Sequence, residues 1–209
     1  MCYSVEVKAG IEDIARRFRA QFHSADLFNF TDEINGFAHE VHPVITNHHP
    51  NVIEADYQWG LVPAWCKDDS IRKNTLNAKI ETLEQKPAFR DFISNRCLII
   101  ATAYYEWRWN DEKGKRKQKY KIHSAEEEIF AFAGIYSRWK SPETGSAVNS
   151  FSIITPAANQ QMQYIHNNKQ RMPLMLRRQD EITWLDPKSN YQDFAYPNYN
   201  APLVAFEAE

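Results

Sequence analysis

Apolar and polar positions alternate strictly at the start of the chain: Tyr3, Val5 and Val7 share one face, and Cys2, Ser4 and Glu6 share the other. A period of two is that of a half-buried strand, with the cysteine on its solvent or cleft face. The period then lengthens. Ile11, Ile14, Ala15, Phe18 and Phe22 recur at helical spacing and predict an amphipathic helix laid on the core. Residues 25–57 break into short apolar runs, such as Val44-Ile45 and Val52-Ile53, around Pro43 and Pro50, a pattern of strands and loops. Trp59-Gly60-Leu61-Val62-Pro63-Ala64-Trp65 is turn-rich and aromatic, and Pro87 opens a short helix with Phe89, Phe92 and Ile93 inward.

Residues 97–101 form an unbroken apolar run, read as a buried strand. It continues through Tyr104-Tyr105-Glu106-Trp107-Arg108-Trp109, where Glu106 and Arg108 face away from Trp107 and Trp109. Residues 110–114 supply turn chemistry, a basic strand returns through Tyr120 and Ile122, and residues 129–136 and 151–154 read as core strands. Thr155-Pro156 reads as an N-cap followed by Pro at the first helical position. That helix runs through Ala158, Met162 and Ile165 and leaves His166 at its C-terminal end. Leu174-Met175-Leu176 is a last apolar strand, and the tail beyond Pro187, with Tyr191, Tyr196 and Tyr199, reads as structural. Strands and helices mix without βαβ regularity, repeats or a linker, so the expectation is α+β in a single domain over residues 1–209.

Composition narrows the function classes. Twelve Phe, ten Tyr and six Trp against six Gly describe an ordered globular chain. A net charge of −2 offers no global attraction to a polyanion, so any nucleic-acid surface has to be a local patch. Cys2, Cys66 and Cys97 form no C-x-x-C pair, and an odd set of thiols fits a reducing cytosol. Residues 1–8 are charged where a signal peptide is apolar, and no run of about 18 apolar residues reads as a membrane span.

The chemistry begins at Met1-Cys2. An initiator Met before a small residue is commonly trimmed, which would leave an α-amine and a thiol on adjacent carbons, with reference pKa values of about 8 and 8.5. Such an aminothiol condenses with aldehydes: the amine forms an imine and the thiol closes it to a thiazolidine. An N-terminal Cys also suits thiol hydrolysis with its own amine as base, and position 2 also merely tolerates a small residue. Glu106, beside Trp107 at a strand end, reads as a desolvated general acid or as a solvated surface carboxylate. His166 reads as a proton shuttle or a structural His, and Asn77 as an amide orienting an oxygen or as turn chemistry. His39, His42, His48 and His49 match no ligand spacing, and prolines interrupt them, so neither a metal nor a cofactor is expected. Arg72-Lys73, the lysines of residues 113–121 and Lys169 with Arg171 interleave with Trp59, Trp65, Trp107 and Trp109. They suit a single-strand groove with stacking platforms, or a solvated hairpin face over core tryptophans.

Taken in order, these pieces resemble the SOS-response-associated peptidase family, proteins that crosslink themselves to abasic sites in single-stranded DNA. The resemblance rests on Met1-Cys2, the Trp59–Trp65 segment and Asn77-Ala78-Lys79-Ile80-Glu81-Thr82. It continues through Pro87-Ala88-Phe89-Arg90, Arg96-Cys97-Leu98-Ile99, Tyr105-Glu106-Trp107, residues 155–159, Ile165-His166 and Arg171-Met172-Pro173. It implies a barrel-like core of mixed, mostly antiparallel sheets with peripheral helices. It also implies that Cys2, freed of Met1 by the same site, forms a thiazolidine with a ring-opened abasic deoxyribose. Glu106 and His166 would then move protons and Asn77 would hold the reacting groups, while Lys79, Trp65, Thr155 and Arg171 would contact DNA. The implied partner is single-stranded DNA with abasic sites, bound by a monomer in the bacterial cytoplasm at the nucleoid.

There are departures from the family pattern. Tyr3-Ser4 stands where the family usually has Gly-Arg, and Lys79 where it has Arg, keeping charge but losing a bidentate fork. Ile100 and Ala103 replace Pro and Gly, residues 35–43 lack an Asn-x-x-Pro loop, and four residues separate His166 from Arg171, longer than the commonest spacing. Two other classes remain open: a thiol hydrolase acting on substrates other than DNA, and a non-catalytic single-strand binder.

Overall fold

A computed structural model describes residues 2–27 and 33–209. Its elements in chain order are β1 (Ser4–Glu6), α1 (Ile11–Phe18), β2 (Gln21–His23), β3 (Ile34–Asn35), β4 (Val41–Thr46), β5 (Val52–Trp59), β6 (Asn77–Lys79) and β7 (Arg96–Ala101). They continue with β8 (Ala103–Trp109), β9 (Lys117–Ser124), β10 (Phe130–Lys140), β11 (Ala147–Thr155), α2 (Gln160–Ile165), β12 (Met175–Leu176), α3 (Glu181–Leu185) and β13 (Leu203–Ala208).

Strands β10, β7, β4, β5 and β11 pair in that order, and β11 returns to β10, closing a barrel. Only the β5–β11 seam of that ring is parallel. β6 extends β11 in parallel, and β12 lies antiparallel to β10. A second sheet, ordered β13-β9-β8-β1-β3, is antiparallel throughout. The architecture is the expected α+β class with short peripheral helices. Register shifts between His42 and Val44 of β4, at Pro43, which has no N–H to give to a ladder.

One apolar cluster joins Cys2 and Val5 of the second sheet to Trp59, Phe132 and Phe151 of the barrel and Met162 of α2. Trp59 and Phe151 stack with centroids 6.1 Å apart, and the Trp59 indole N–H donates to the Leu76 carbonyl at 2.8 Å. This cluster seats the second sheet on the barrel, which brings β1 and β8 against β6 and α2.

Several sequence expectations shift. α1 stops at Arg19, whose φ of 52° is left-handed, so Phe22 sits on β2 rather than on the helix. The N-cap of α2 is Asn159, whose Oδ1 accepts from the Met162 N–H at 2.9 Å, while Thr155 ends β11. The segment after Pro87 makes only a 3₁₀ turn, Arg90–Phe92, although Phe89 and Phe92 are buried as expected. The largest shift is at β1. Cys2, Ser4 and Glu6, expected on a solvent or cleft face, are buried, because neighbouring side chains cover and satisfy that face. Ser4 Oγ donates to Glu33, and Glu6 accepts from Tyr105 Oη at 2.9 Å and from Lys121 Nζ at 2.8 Å. The tail, read as structural, supplies β13, which pairs with β9 over Leu203–Ala208.

Candidate active site

Cys2 lies two residues before the start of β1, is fully buried, and its Sγ lies 3.6 Å from the Ser4 carbonyl. Burial pushes its thiol pKa far above the ordinary cysteine range, and the Glu106 carboxylate adds to the effect. At neutral pH the sulfur therefore keeps its proton. Asn77, the first residue of β6, donates Nδ2 to the Cys2 carbonyl at 2.8 Å.

Glu106 sits mid-way along β8, on the same side as Tyr104 by strand alternation. Tyr104 is buried, with its hydroxyl 3.4 Å from Met162 Sδ. Burial raises the Glu106 carboxyl to about 7, so near neutrality protonated and ionised forms coexist. His166 caps the C-terminal end of α2, and its Nδ1 lies 2.8 Å from the Arg171 carbonyl. A carbonyl only accepts, so Nδ1 carries the hydrogen and Nε2 presents a lone pair toward Glu106 Oε2, 3.8 Å away. Burial pushes His166 down to about 4, so the imidazole is neutral at pH 7 and the two groups are not an ion pair. The arrangement is a carboxylic acid poised near neutrality beside a neutral base, with a gap wider than one hydrogen bond.

A cavity of about 160 Å³ opens onto this pair, lined by Glu106 and His166 together with Tyr3, Trp107, Trp109, Lys117 and Lys169. Two larger grooves, of about 720 and 710 Å³, lie around Arg17 and Arg178 and include none of the four candidate catalytic residues. The small cleft carries two of the four candidates, Glu106 and His166, whereas Cys2 and Asn77 lie behind its wall, next to Tyr3 and to each other.

The residues expected to touch DNA divide. Lys79 is exposed two positions beyond Asn77 on β6, in register with Thr155 of β11. Trp65 is 56% exposed on the loop after β5. Thr155 is wholly buried, its Oγ1 3.4 Å from the Ala78 carbonyl. Arg171 makes a bidentate pair with Glu81 at 2.9 and 2.7 Å and also donates to the Thr155 carbonyl. Its charge is already matched. Sequence reasoning placed Tyr3 on the apolar face of the first strand and missed it as a cleft residue, the only available signal being its adjacency to Cys2; Lys169, expected in a basic groove, does line the cleft. Of the histidines of residues 39–49, three meet backbone or carboxylate partners and His48 packs edge-on against Tyr136. His42 Nε2 lies 2.6 Å from the Ile100 carbonyl, His39 Nδ1 lies 2.7 Å from that of Trp59, and His49 Nδ1 is 3.5 Å from Glu54.

Comparison with known proteins bears on the chain as a whole. A protein-family model described as SOS response associated peptidase (SRAP) matches residues 1–205. The abasic site processing protein YoqW of Bacillus subtilis is 41% identical over 138 residues, 66% of this chain and 59% of that protein. The abasic site processing protein HMCES of Gallus gallus is 32% identical over 155 residues, 63% of this chain and 44% of that one. The chain thus spans well under two thirds of the length of either relative. A crystal structure of a protein from Bacteroides thetaiotaomicron superposes with a TM-score of 0.88 at 31% identity, covering 100% of this chain and 92% of that one.

Proposed function

The chain belongs to the SOS response associated peptidase family, and on that premise we propose that it processes abasic sites in DNA by capturing them on Cys2 as a thiazolidine. The single observation that carries this reading is the convergence of Asn77, Glu106 and His166, from three separate elements, on the first residues of the chain. Relatives named as abasic site processing proteins support the substrate class.

Hydrolysis of the Met1–Cys2 bond consumes a water and frees the amine of Cys2. Because the thiol is fully buried, the chain end must also give way for a sugar to reach it. The amine adds to the C1′ aldehyde of the ring-opened deoxyribose, giving a carbinolamine. Glu106, protonated in about half the molecules near pH 7, delivers its proton to the departing hydroxyl, which leaves as water. The loss of water leaves an iminium that keeps its N–H; the Cys2 sulfur bonds to its carbon, the C=N electron pair returns to nitrogen, and the S–H proton passes to the Glu106 carboxylate by way of the Glu106–His166 pair, restoring the acid. One water is lost overall from aldehyde and aminothiol. Asn77 holds the Cys2 carbonyl and so fixes the residue that carries both nucleophiles.

The protonation state of the thiol weighs against a free-standing thiol hydrolase, whose nucleophile is a thiolate of lowered pKa. Ring closure onto an activated imine, with both partners on one residue, needs no preformed thiolate. In this reading the chain acts as one domain and one copy on single-stranded DNA. Among the described residues no helix is long and apolar enough to cross a membrane.

Intact-mass measurement after incubation with a single-stranded oligonucleotide carrying one abasic site tests the reading. The expected product is the protein lacking Met1 plus the oligonucleotide minus one water, stable to denaturation and absent in Cys2→Ala. Turnover of an amide or ester without an adduct would support the hydrolase instead. Salt-sensitive binding that survives Cys2→Ala with no adduct would support the non-catalytic binder.

A further inference from the structure

We propose that Tyr3 and Phe37 together form a stacking platform for an unpaired nucleobase lying next to the captured sugar. The proposal rests on the capture reading for its orientation, and it names which part of the strand this wall of the cleft receives.

Tyr3 lines the cleft that holds Glu106 and His166. Its ring packs on that of Phe37, with centroids 4.8 Å apart and planes inclined at 38°, so one aromatic surface runs from the cleft wall outward. Phe37 is 52% exposed, yet it is not on a loose loop. It lies in the 3₁₀ turn Gly36–Ala38, whose cap Asn35 accepts from the Phe37 N–H at 3.0 Å. The Gly36 N–H donates to the Tyr3 carbonyl at 2.8 Å, and Gly36 packs so closely on the Trp59 indole that a Cβ there would sit 3.1 Å from the ring. The turn is therefore fastened both to the chain beside Cys2 and to the core. An apolar ring held rigidly half in water, continuous with a reactive cleft, is a ready surface for a flat apolar face.

Charge identifies that partner. Lys117 and Lys169 line the same cleft, and Lys117 Nζ stands 5.6 Å from the Trp109 ring. Cations beside stacking rings are the recognition elements of single-stranded nucleic acid, where phosphates meet lysines and bases meet rings. The first strand adds no cation of its own, since Ser4 is turned inward onto Glu33. What its leading end offers a DNA strand is the Tyr3 ring, extended by Phe37.

The test uses two single-stranded oligonucleotides of equal length and charge, each with a chemically reduced, unreactive abasic site. One carries thymines on both sides of the site and the other base-free spacers. Dissociation constants are read by fluorescence anisotropy at one fixed salt concentration for the wild-type protein, Phe37→Ala, Phe37→Leu and Phe37→Trp. The wild type is expected to prefer the base-flanked strand about tenfold, as one stacked base contributes. Phe37→Ala and Phe37→Leu should lose most of that preference, and Phe37→Trp should restore it, because stacking needs a π-face and not merely apolar volume. A wild-type protein indifferent to the flanking bases, or a preference unchanged in Phe37→Ala, overturns the platform. Crosslinking to an unreduced abasic strand is scored separately. Its absence sinks the capture reading, while the binding data still decide the platform.

Discussion

Asn77 Nδ2 reaches the carbonyl oxygen of Cys2 across 2.8 Å, although 75 residues separate them in the chain. The bond crosses the seam between the two sheets, from β6 on the barrel to the residue that leads into β1. Replacing Asn77 with Ala removes the donor from a buried acceptor, a loss of about 1–3 kcal/mol. It should lower the urea midpoint accordingly and slow adduct formation at least tenfold. Asn77→Asp keeps the size but cannot donate when ionised, so it should fail like the alanine. An aspartate variant that crosslinks at the normal rate would show that the amide only fills space.

Crosslinking should follow a bell-shaped pH profile. The proton donor is Glu106, raised to about 7 by burial, so the acid form is lost as pH rises through that value. The amine must be unprotonated, with a reference pKa of about 8, so its active form is lost as pH falls. With the two requirements overlapping, the rate should peak near about pH 7.5 and fall up to tenfold per unit on either side. Glu106→Gln should be slow throughout and lack the alkaline limb. Single-turnover rates from pH 5.5 to 9.5 decide this.

The same carboxyl costs stability. A carboxyl whose folded pKa lies above its unfolded value binds more protons when folded, so its contribution is favourable at low pH and is lost as pH rises from about 4.3 through about 7. Glu106→Gln should therefore be more stable than the wild type at pH 8, by on the order of 3–4 kcal/mol and with a higher melting temperature, and close to it at pH 4.5. His166, lowered to about 4, acts in the opposite sense, since its cost grows as pH falls from 6.5 toward 4. Equal melting temperatures at pH 8 would place the Glu106 carboxyl in a well-solvated site.

Lysines at the cleft and the arginine behind it should behave differently toward salt. Lys117 and Lys169 are exposed, whereas Arg171 is paired with Glu81 and the Thr155 carbonyl. Lys169→Ala and Lys117→Ala should each reduce the slope of log K against log salt for single-stranded DNA by about 0.7. Arg171→Ala should leave the slope unchanged and lower stability by about 1–3 kcal/mol, by stripping charged hydrogen bonds. A slope reduced by Arg171→Ala would mean that the pair with Glu81 opens to admit phosphate.

Gly60 turns the chain at the end of β5 with a φ of 109°, and a Cβ there would lie 2.8 Å from the Arg72 carbonyl oxygen. Gly60→Ala should cost roughly 1–3 kcal/mol in a denaturation midpoint, since both backbone strain and a clash with backbone oppose it. Crosslinking per folded molecule should remain normal, because Gly60 touches none of the reacting groups.

Much of this protein was readable from residue order. Alternation at residues 2–7, the apolar run at 97–101 and the helical spacing at 11–18 are local signals, and each produced its element because burial of one face selects a period. The order of the short motifs was enough to identify the family, and with it to single out Cys2, Asn77, Glu106 and His166 as candidates. Tertiary packing decided what those local signals could not contain. Ser4 and Glu6 read as a solvent or cleft face until Glu33, Tyr105 and Lys121, distant in sequence, fold over to satisfy them. Arg171 reads as a free cation until Glu81, 90 residues away, neutralises it. Tyr3 and Phe37 carry no shared motif, and only the turn tied to β1 brings their rings together beside the cleft. Periodicity and order report which face a residue would occupy. The pKa of Glu106, the buried thiol of Cys2 and the charge left over at the cleft depend on what covers that face, and only the packed chain supplies the cover.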